Sequence, residues 1–522
     1  MGEMAADPTL PSKTFSDRLS RIDRRRWFWV TLVAAVLVYS QFQFWKQPSV
    51  GDRANWDYFA QVLARGGVPY RDVVNIKTPL SAYIGAAAVL AGPRLGLRDI
   101  FAIRITFILL AALTAAFAFL VALECFDDLR LALIVAAAML TFDTFARFNS
   151  GGVQPKTPMV LFGLLTLWAT MKSRPFLAGV FGMLSALSWQ PGLLFAGAAF
   201  LGASRYLTNW RDKQALKVFL GAALPLAVML SYFWMTGALR DFYLWNVHYD
   251  LMVFAPRELR PIGGFFERLG KMLSAPYRHT RWLFYLSIAG VLIGVWRLTP
   301  RGGVLANAPR HAVIVAPLVY FLFCVIDIQG PVDLIPFIPF VAIFAAVALT
   351  FALDRSLNLA ARISPRLSRP APAAWLTAGI ILLLSWQAVT FAKQFERVFP
   401  TLNDQQPVVD EIVAQLQPGD KIFVHGRTEV LVLSGLSNAN KHFFLDRGND
   451  TYLDQVEPGG FVGWFERLKA ERPKIIALDR FEDMRHDVDL QQWADTDYVP
   501  HFTRIFVYYV RKDDGQPGGA AL

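Results

Sequence analysis

Repeated apolar runs, many long enough to cross a lipid bilayer, divide the first three quarters of the chain. A membrane-spanning helix needs about 20 mostly apolar residues. A mean hydropathy of +0.36 also argues against an ordinary soluble domain. The sequence therefore predicts a polytopic α-helical membrane protein with about 11 transmembrane helices. The runs lie at about 27–45, 100–123, 130–147, 157–171, 175–189, 191–204, 216–237, 282–297, 311–327, 334–353 and 373–392.

The stretch 175–204 has two interpretations. It forms either two short helices split at Gln190-Pro191-Gly192 or one kinked span, because proline interrupts the helical hydrogen-bond ladder. Two crossings place every strongly basic connection on one side of the membrane. The positive-inside rule makes that side cytoplasmic, which predicts a cytoplasmic N-terminus at 1–26 and an extracytoplasmic C-terminus in the plasma (inner) membrane. Much of the net charge of +11 then reflects orientation, and no nucleic-acid partner is implied.

Two cysteines, Cys125 and Cys324, lie in or beside predicted spans. We interpret them as small apolar residues, with neither a disulfide nor a metal site. The apolar run after Arg26 is long enough to span and lacks a small-residue cleavage site, so no removable signal peptide is predicted.

The tail at 400–522 differs in composition from the predicted transmembrane domain at 27–399. Residues 408–416 and 461–470 have helical spacing, whereas 421–424, 442–445, 475–478 and 504–510 are short apolar runs typical of strands. We expect a small extracytoplasmic α/β domain. It contains no Gly-rich phosphate loop, and His425-Gly426-Arg427 is interpreted as a turn at a strand end.

The first predicted outer loop, 46–99, concentrates polar chemistry directly after a membrane span. Residues 52–65 form a plausible helix with Asp52 as its N-cap, and Gly66-Gly67 supplies a left-handed stop. Asp52 and Asp57 are five residues apart and point about 140° apart on a helix, so they do not form a close pair.

The two carboxylates have different neighbours on that helix. Asp52 shares its face of the helix with Trp56. Asp57 instead shares a polar stripe with Gln61 and Arg65, whose side chains can hydrogen-bond to water. Asp52 is therefore the stronger candidate for a catalytic acid or base, with a simple N-cap as its alternative. Asp57 is the second candidate, with a solvated face as its alternative.

The loop ends at Lys77-Thr78-Pro79-Leu80. Thr78 and Pro79 predict the N-cap and first position of a helix over about 79–91, which is apolar but short for a span and is interpreted as re-entrant or interfacial. An ammonium beside a helix N-terminus favours a phosphate, so Lys77 is a candidate phosphate ligand. The alternative is contact with lipid headgroups. Arg104 has the same two interpretations, as a snorkelling side chain or a ligand of a buried phosphate.

These residues resemble the first extracytoplasmic loop of the GT-C superfamily of membrane glycosyltransferases. The similarity is to bacterial enzymes of the protein O-mannosyltransferase-like and aminoarabinose transferase-like kinds, and extends to the layout of many spans followed by a small outer domain. It lies in Asp52, an aromatic residue at Trp56, Ala60, Gly66, Tyr70-Arg71-Asp72 and Lys77-Thr78-Pro79-Leu80.

The resemblance implies roles for individual residues. Asp52 would act as base or orient the acceptor, Lys77 would bind the lipid phosphate, and Arg104 matches an arginine common in the next span. Arg53, Trp56 and Thr78 depart from the family pattern, which has an acid, a tyrosine and a proline there. The turn at 147–156 lacks the aspartate that many relatives carry, so a divalent metal is unsupported and no cofactor is predicted.

Further polar residues complete the candidate site. Arg71 is a third candidate for the donor phosphate, and five residues are candidates for contact with acceptor or cavity: Trp56, Tyr70, His248, Asp250 and Asp333. The His248-Tyr249-Asp250 sequence either orients an acceptor hydroxyl or is a surface feature without a further role. Gln190 either contacts substrate or only marks a structural kink.

The leading hypothesis is a glycosyltransferase that moves a sugar from a polyprenyl-phosphate donor to a lipid, glycan or protein acceptor at the outer face of the membrane. Such a donor requires no nucleotide site, and the sequence contains none. The alternatives are a lipid or glycolipid transporter (flippase) and a non-catalytic scaffold. A transporter favours ionisable residues mid-span and an internal repeat, whereas here these residues cluster at the outer ends of spans.

Overall fold

The computed structural model describes residues 13–203, 213–255, 264–299, 308–364, 370–393, 400–446, 448–479 and 484–512. The predicted cytoplasmic connections at 204–212, 300–307 and 365–369 lie outside the described residues. The helices before the tail are α1 (Lys13–Ser40), α2 (Gly51–Ala64), α3 (Leu80–Ala91), α4 (Asp99–Phe126), α5 (Leu129–Thr141), α6 (Asp143–Asn149), α7 (Lys156–Met171), α8 (Pro175–Ser188), α9 (Leu193–Ala203), α10 (Gln214–Met235), α11 (Leu239–Phe242), α12 (Phe265–Ser274), α13 (Arg281–Leu298), α14 (Ala308–Ile326), α15 (Ile338–Ala361) and α16 (Pro370–Lys393).

Short irregular helices connect several of these elements. Turns of 3₁₀ helix follow α3 (Gly92–Leu95), α8 (Gln190–Gly192) and α14 (Pro331–Phe337), and two π-helical segments, Tyr243–His248 and Asp250–Phe254, follow α11. All of the predicted apolar runs coincide with helices, because a run of apolar residues of this length is a local signal. The stretch 175–204 is divided into α8 and α9 at Gln190–Gly192, as the proline position predicted.

The number of membrane spans is not confirmed at 11. Among the described residues, six helical segments are long and apolar enough to cross a membrane, and a seventh arises if α5 and α6, bent by 62° at their junction, form one span. Helices α3, α8 and α9 are apolar but shorter. The protein is a multi-pass membrane protein.

The first outer loop contains the two predicted helices, with corrected starts. Helix α2 begins at Gly51 and its N-cap position is Val50, so the prediction of Asp52 as N-cap is wrong and its carboxylate lies in the first turn. Gly66 has φ +90°, which confirms the left-handed stop. Thr78 is not a cap either: its hydroxyl donates to the Ala186 carbonyl at 3.0 Å, which fixes the start of α3 against α8.

The tail forms a small α/β domain around a four-stranded sheet. Its elements are α17 (Leu402–Ala414), β1 (Ile422–His425), α18 (Glu429–Ser434), α19 (Asn449–Val456), α20 (Gly460–Ala470), β2 (Ile475–Leu478), α21 (Asp487–Asp497), β3 (Tyr498–Phe502) and β4 (Val507–Arg511). The strand order is β1-β2-β4-β3, with β1 and β2 parallel and the other pairs antiparallel. The expected strand at 442–445 does not form; this segment is irregular.

The tail domain packs directly on the loop 46–99. The backbone N–H of Asn438 donates to the Tyr58 hydroxyl at 2.9 Å, and the Thr428 hydroxyl donates to the Asn55 amide oxygen at 2.6 Å. One apolar core continues from α2, α3 and α4 into the sheet. Because polar and apolar contacts both cross the boundary, the loop and the tail domain form one structural unit.

A charged cluster holds the irregular segment 441–446 in place. The carboxylate of Glu457 lies 3.1 Å from the Lys441 ammonium, 3.5 Å from His442 Nε2 and 2.9 Å from the Arg467 guanidinium. These neighbours, His442 first, hold the pKa of Glu457 at about 2, well below its usual value. The ionised carboxylate thus stabilises the segment that carries Phe443 and Phe444.

We expect the topology to be testable at two exposed serines, Ser437 in the tail and Ser356 in α15. The native cysteines are buried. Cysteines introduced at the two positions should react oppositely with a membrane-impermeant reagent on intact cells, with Ser437→Cys labelled and Ser356→Cys protected. Labelling of Ser437→Cys only after lysis would reverse the predicted orientation.

We expect Glu457→Gln to lower the unfolding free energy by roughly 1–3 kcal/mol at neutral pH, as for charged hydrogen bonds. Because the folded pKa is depressed, this stabilisation is present above pH 4.5 and is lost as the pH falls towards 2. Thermal unfolding of both proteins at several pH values measures the effect. Glu471→Gln, which breaks a more exposed pair with Lys421, is the control and should change little. Parallel pH profiles for wild type and Glu457→Gln would contradict the assignment.

Candidate active site

A cavity of about 430 Å³ lies where the loop 46–99 meets the tail domain and the adjoining ends of several helices. This volume is within the usual range for small-molecule sites. Eight separate parts of the chain supply the walls: the start of α2, the segment 74–77, Phe148, the turn before α7, Trp189, Phe254, the turn at 327–333 and the tail segment 443–444. The lining residues are Val50, Asp52, Arg53, Asn55, Trp56, Val74, Asn75, Ile76, Lys77, Phe148, Val153, Gln154, Pro155, Lys156, Trp189, Phe254, Asp327, Gln329, Gly330, Val332, Asp333, Phe443 and Phe444.

Charged residues of both signs share this cavity. Three cations line it, Arg53, Lys77 and Lys156, together with three carboxylates, Asp52, Asp327 and Asp333. Aromatic side chains supply much of the remaining wall. A cavity of this kind suits a ligand that carries a charged group and a polar, hydroxyl-bearing group.

Asp52 lies in the first turn of α2 with an exposed side chain at the cavity wall. Arg53, the next residue, is within electrostatic range of Asp52 and donates to the Gln47 amide oxygen at 3.1 Å. Trp56, one turn further along α2, lines the same cavity and is 7 % exposed. The accessible carboxylate can therefore meet a ligand, while the flanking residues are held by protein contacts.

Asp57 is placed differently from the prediction. Its side chain is 0 % exposed, so the expected solvated stripe is wrong, and Gln61 is buried as well. One carboxylate oxygen accepts the Val153 N–H at 2.8 Å, and a Cβ on Gly152 would lie 2.6 Å from the other oxygen. Burial raises the pKa of Asp57 to about 7, an effect opposed by the Val153 N–H and nearby Arg104 and Arg53. Asp57 anchors the 152–153 turn behind the cavity wall.

Arg104 is buried in α4, also behind the cavity wall. Its guanidinium donates to the Phe44 carbonyl at 2.5 Å and interacts electrostatically with Asp57. Arg104 is not among the residues that line the cavity. The structure therefore brings Arg104 to Asp57 rather than to Lys77.

Lys77 lines the cavity just before α3. Its ammonium lies 4.0 Å from the centre of the Phe254 ring, which is cation–π geometry. Tyr70 is fully buried and its hydroxyl donates to the Lys77 carbonyl at 2.7 Å. Tyr70 thus fixes the backbone that carries the ammonium.

Asp250 supports the same region from the π-helical segment. Its carboxylate accepts from the Gln190 amide at 2.7 Å, and the same amide nitrogen donates to the Ile76 carbonyl at 3.1 Å. Burial raises the pKa of Asp250 to about 6, and the nearby Lys77 opposes this shift. Gln190 therefore connects the break between α8 and α9 to the residue before Lys77.

A second lysine occupies the cavity at the start of α7. The Lys156 ammonium lies 2.8 Å from an Asp333 carboxylate oxygen and 4.3 Å from the centre of the Trp189 ring. The other Asp333 oxygen accepts the N–H groups of Gln329 and Gly330, both at 2.8 Å. Asp333 thus lines the cavity, as predicted, but as half of a buried ion pair.

Two further predicted site residues, Arg71 and His248, make contacts outside the cavity. Arg71 pairs with Asp72 at 2.8 Å and donates to the Thr236 carbonyl at 2.9 Å. His248 Nδ1 lies 2.7 Å from the Tyr452 hydroxyl, which links the π-helical segment to the tail domain. Neither is among the residues that line the cavity.

Comparison with solved structures identifies the architecture. No protein-family model and no curated protein sequence matches the chain. The structure is similar to that of ArnT from Cupriavidus metallidurans bound to undecaprenyl phosphate, with a TM-score of 0.62 and 11% identity over 94% of this chain and 99% of that one. It is also similar to the archaeal oligosaccharyltransferase AglB from Archaeoglobus fulgidus in complex with an inhibitory peptide and a dolichol-phosphate. That match has a TM-score of 0.52 and 13% identity over 94% of this chain and 75% of that one.

ArnT, an aminoarabinose transferase, and AglB are both GT-C superfamily enzymes. The chain has the GT-C fold. In this GT-C structure, the cavity lies beside the short apolar helix α3 and is lined by Asp52, Trp56, Lys77 and Asp333 from the predicted set. Tyr70 and Asp250 support Lys77 from behind, and Asp57 and Arg104 lie in the core.

Lys156 was not among the predicted site residues, although the sequence contains a signal for it. Lys156-Thr157-Pro158 repeats the Lys77-Thr78-Pro79 sequence, and each triplet lies at the start of an apolar helix. Phe443 and Phe444 were also missed, because their segment looked like a strand.

A divalent metal does not fit the described side chains well. Among the described residues, no group of three or more His, Cys, Asp or Glu side chains is arranged to hold a metal ion. Asp333 is neutralised by Lys156, and the turn before α7 presents Gln154 rather than a carboxylate. We therefore derive no chemical step through a metal.

Proposed function

We propose that this protein is a GT-C glycosyltransferase that moves a sugar from a polyprenyl-phosphate donor to an acceptor hydroxyl at the outer face of the plasma membrane. One observation supports it most: the exposed Asp52 carboxylate and the Lys77 ammonium line a single cavity beside an apolar helix. The similar ArnT and AglB structures contain undecaprenyl phosphate and a dolichol-phosphate. A lipid-borne phosphate can reach such a cavity from the membrane.

The reaction would be a single displacement at the anomeric carbon. The acceptor oxygen attacks this carbon as Asp52 takes the hydroxyl proton, and the bond from the carbon to the phosphate oxygen breaks. The electron pair of that bond stays with the polyprenyl phosphate. Lys77 stabilises the negative charge that grows on the leaving phosphate, and the sugar carbon is inverted.

Other residues would act on this geometry indirectly. Gln190 donates to the Ile76 carbonyl and Tyr70 donates to the Lys77 carbonyl, so both are positioning residues for the ammonium. Arg104 and Asp57 hold the inner side of α2 and the 152–153 turn. Arg53 is a better candidate than Arg71 for a second cation at the phosphate, because Arg53 lines the cavity and Arg71 is paired with Asp72.

We expect Asp52→Asn to reduce sugar transfer by roughly 100-fold or more, the scale of removing a general base, with normal membrane insertion. The amide keeps the size of the carboxylate but does not accept the hydroxyl proton. Transfer by purified protein from a polyprenyl-phosphate sugar measures the effect. Asp410→Asn, an exposed position on α17, is the matched control and should transfer at the wild-type rate. Wild-type transfer by Asp52→Asn would remove this residue from the mechanism.

We expect Lys77→Ala to weaken donor binding by roughly tenfold or more and to slow transfer, since a charge-assisted hydrogen bond to phosphate is lost. Lys77→Arg should retain part of both, because it keeps the charge but changes the donor geometry. Donor affinity of the purified protein is the measurement.

The chain offers a closely matched control for Lys77. Lys469 also lies over a phenylalanine ring, at 4.3 Å from the centre of Phe465, and pairs with Glu466, but it is in the tail domain and outside the cavity lining. Lys469→Ala should bind donor as wild type does. Equal donor affinity for wild type and Lys77→Ala would leave Arg53 as the phosphate ligand to test.

A further inference from the structure

The two lysines of the cavity occupy similar surroundings. Lys77 lies over Phe254 with Asp250 nearby, and Lys156 lies over Trp189 with Asp333 as its ion-pair partner. Both lysines precede a Thr-Pro pair at a helix start. The proposed mechanism uses the first lysine for the donor phosphate and gives the second no task.

The surroundings of the second lysine are linked to those of the first by one hydrogen bond. Trp189, beside the Lys156 ammonium, precedes Gln190, whose amide donates to the Ile76 carbonyl at 3.1 Å. Ile76 in turn precedes Lys77. Lys77, Lys156 and Asp333 also line the same cavity of about 430 Å³, so a group attached to a phosphate on Lys77 extends within reach of the Lys156 and Asp333 pair. In the donor, that group is the sugar.

The charges at this second position are compensated internally. One carboxylate oxygen of Asp333 pairs with the Lys156 ammonium at 2.8 Å. The other oxygen accepts hydrogen bonds from two backbone N–H groups, both also at 2.8 Å. An anionic ligand would have to draw Lys156 away from Asp333 and leave a carboxylate that is 6 % exposed without its counter-ion, which is costly. A cationic ligand would meet the Lys156 ammonium. A hydroxyl both donates and accepts, so it fits beside the pair without breaking it.

We propose that Lys156 and Asp333 form the subsite for the donor sugar and select an uncharged, hydroxyl-rich ring over one that carries a carboxylate. This inference rests on the proposed function, because Lys77 and the donor phosphate define where the ring lies. Trp189 holds the Lys156 ammonium in place. Gln329, which donates to Asp327 at 2.7 Å, extends the polar wall.

The test uses full-length protein in lipid nanodiscs and three classes of ligand. These are undecaprenyl phosphate without sugar, undecaprenyl phosphate carrying glucose, galactose or mannose, and the matching uronate of each. Wild type should bind its best neutral-sugar ligand at least tenfold more tightly than the corresponding uronate. In Asp333→Asn the neutral ligand should bind about tenfold more weakly, and the uronate about tenfold more tightly because Lys156 is released, the scale of a charged hydrogen bond.

Sugar-free undecaprenyl phosphate separates the possible failures. Its affinity should be the same in wild type and Asp333→Asn, which also shows that the variant is folded. The control is Asp354→Asn, which removes a carboxylate from the Arg130 pair outside the cavity lining and should leave all three classes unchanged. If wild type does not bind the sugar-free lipid, the proposed function fails and this inference with it. If it binds the lipid but Asp333→Asn leaves the ratio of neutral to uronate affinity unchanged, or alters all ligands equally, only the sugar subsite is overturned.

Discussion

The cavity depends on the hydrogen bonding of the irregular segment 74–77. A backbone outside regular structure must find partners for its N–H and C=O groups, most of all near a membrane. The Val74 N–H donates to the Lys441 carbonyl at 3.0 Å, the Ile76 carbonyl accepts from Gln190 at 3.1 Å, and the Lys77 carbonyl accepts from Tyr70 at 2.7 Å. Two distant parts of the chain, at Gln190 and Lys441, together with Tyr70 of the same loop, thus set the position of one ammonium. The position of Lys77 therefore depends on the tertiary fold and not on the loop alone.

The polar residues of the site fall into two layers with different tasks. Asp52, Lys77 and the Lys156–Asp333 pair face the cavity, where a ligand can meet them. Asp57, Arg104 and Gln61 are buried behind that surface, each is hydrogen-bonded to the backbone, and Asp57 and Arg104 attract one another electrostatically. A buried charge is stable only with such partners, so the inner layer fixes α2 and the outer layer remains available for chemistry.

The sequence predicted features that depend on local pattern. The apolar runs coincide with helices, the stop at Gly66 has the expected positive φ, and the two faces of α2 are distinct. The prediction that the Asp57 face of α2 is solvated was wrong, because the burial of that face depends on the tail domain. The Gln61 amide on this face donates to the Val432 carbonyl, 371 residues away. Arg104 and Arg71 were predicted to lie at the phosphate, whereas their contacts in the fold lie elsewhere. The repeated Lys-Thr-Pro sequence was visible but its meaning required the cavity.

Phe443 and Phe444 close one wall of the cavity, although they belong to the tail domain and lie more than 350 residues after Lys77 in the chain. A ribosome has therefore made the candidate base and both lysines long before the wall exists. A chain that ends before the tail domain lacks Phe443 and Phe444, so its cavity would be open on that side. The tail domain is thus part of the cavity itself and not an appendage, and its removal would change the shape of the site.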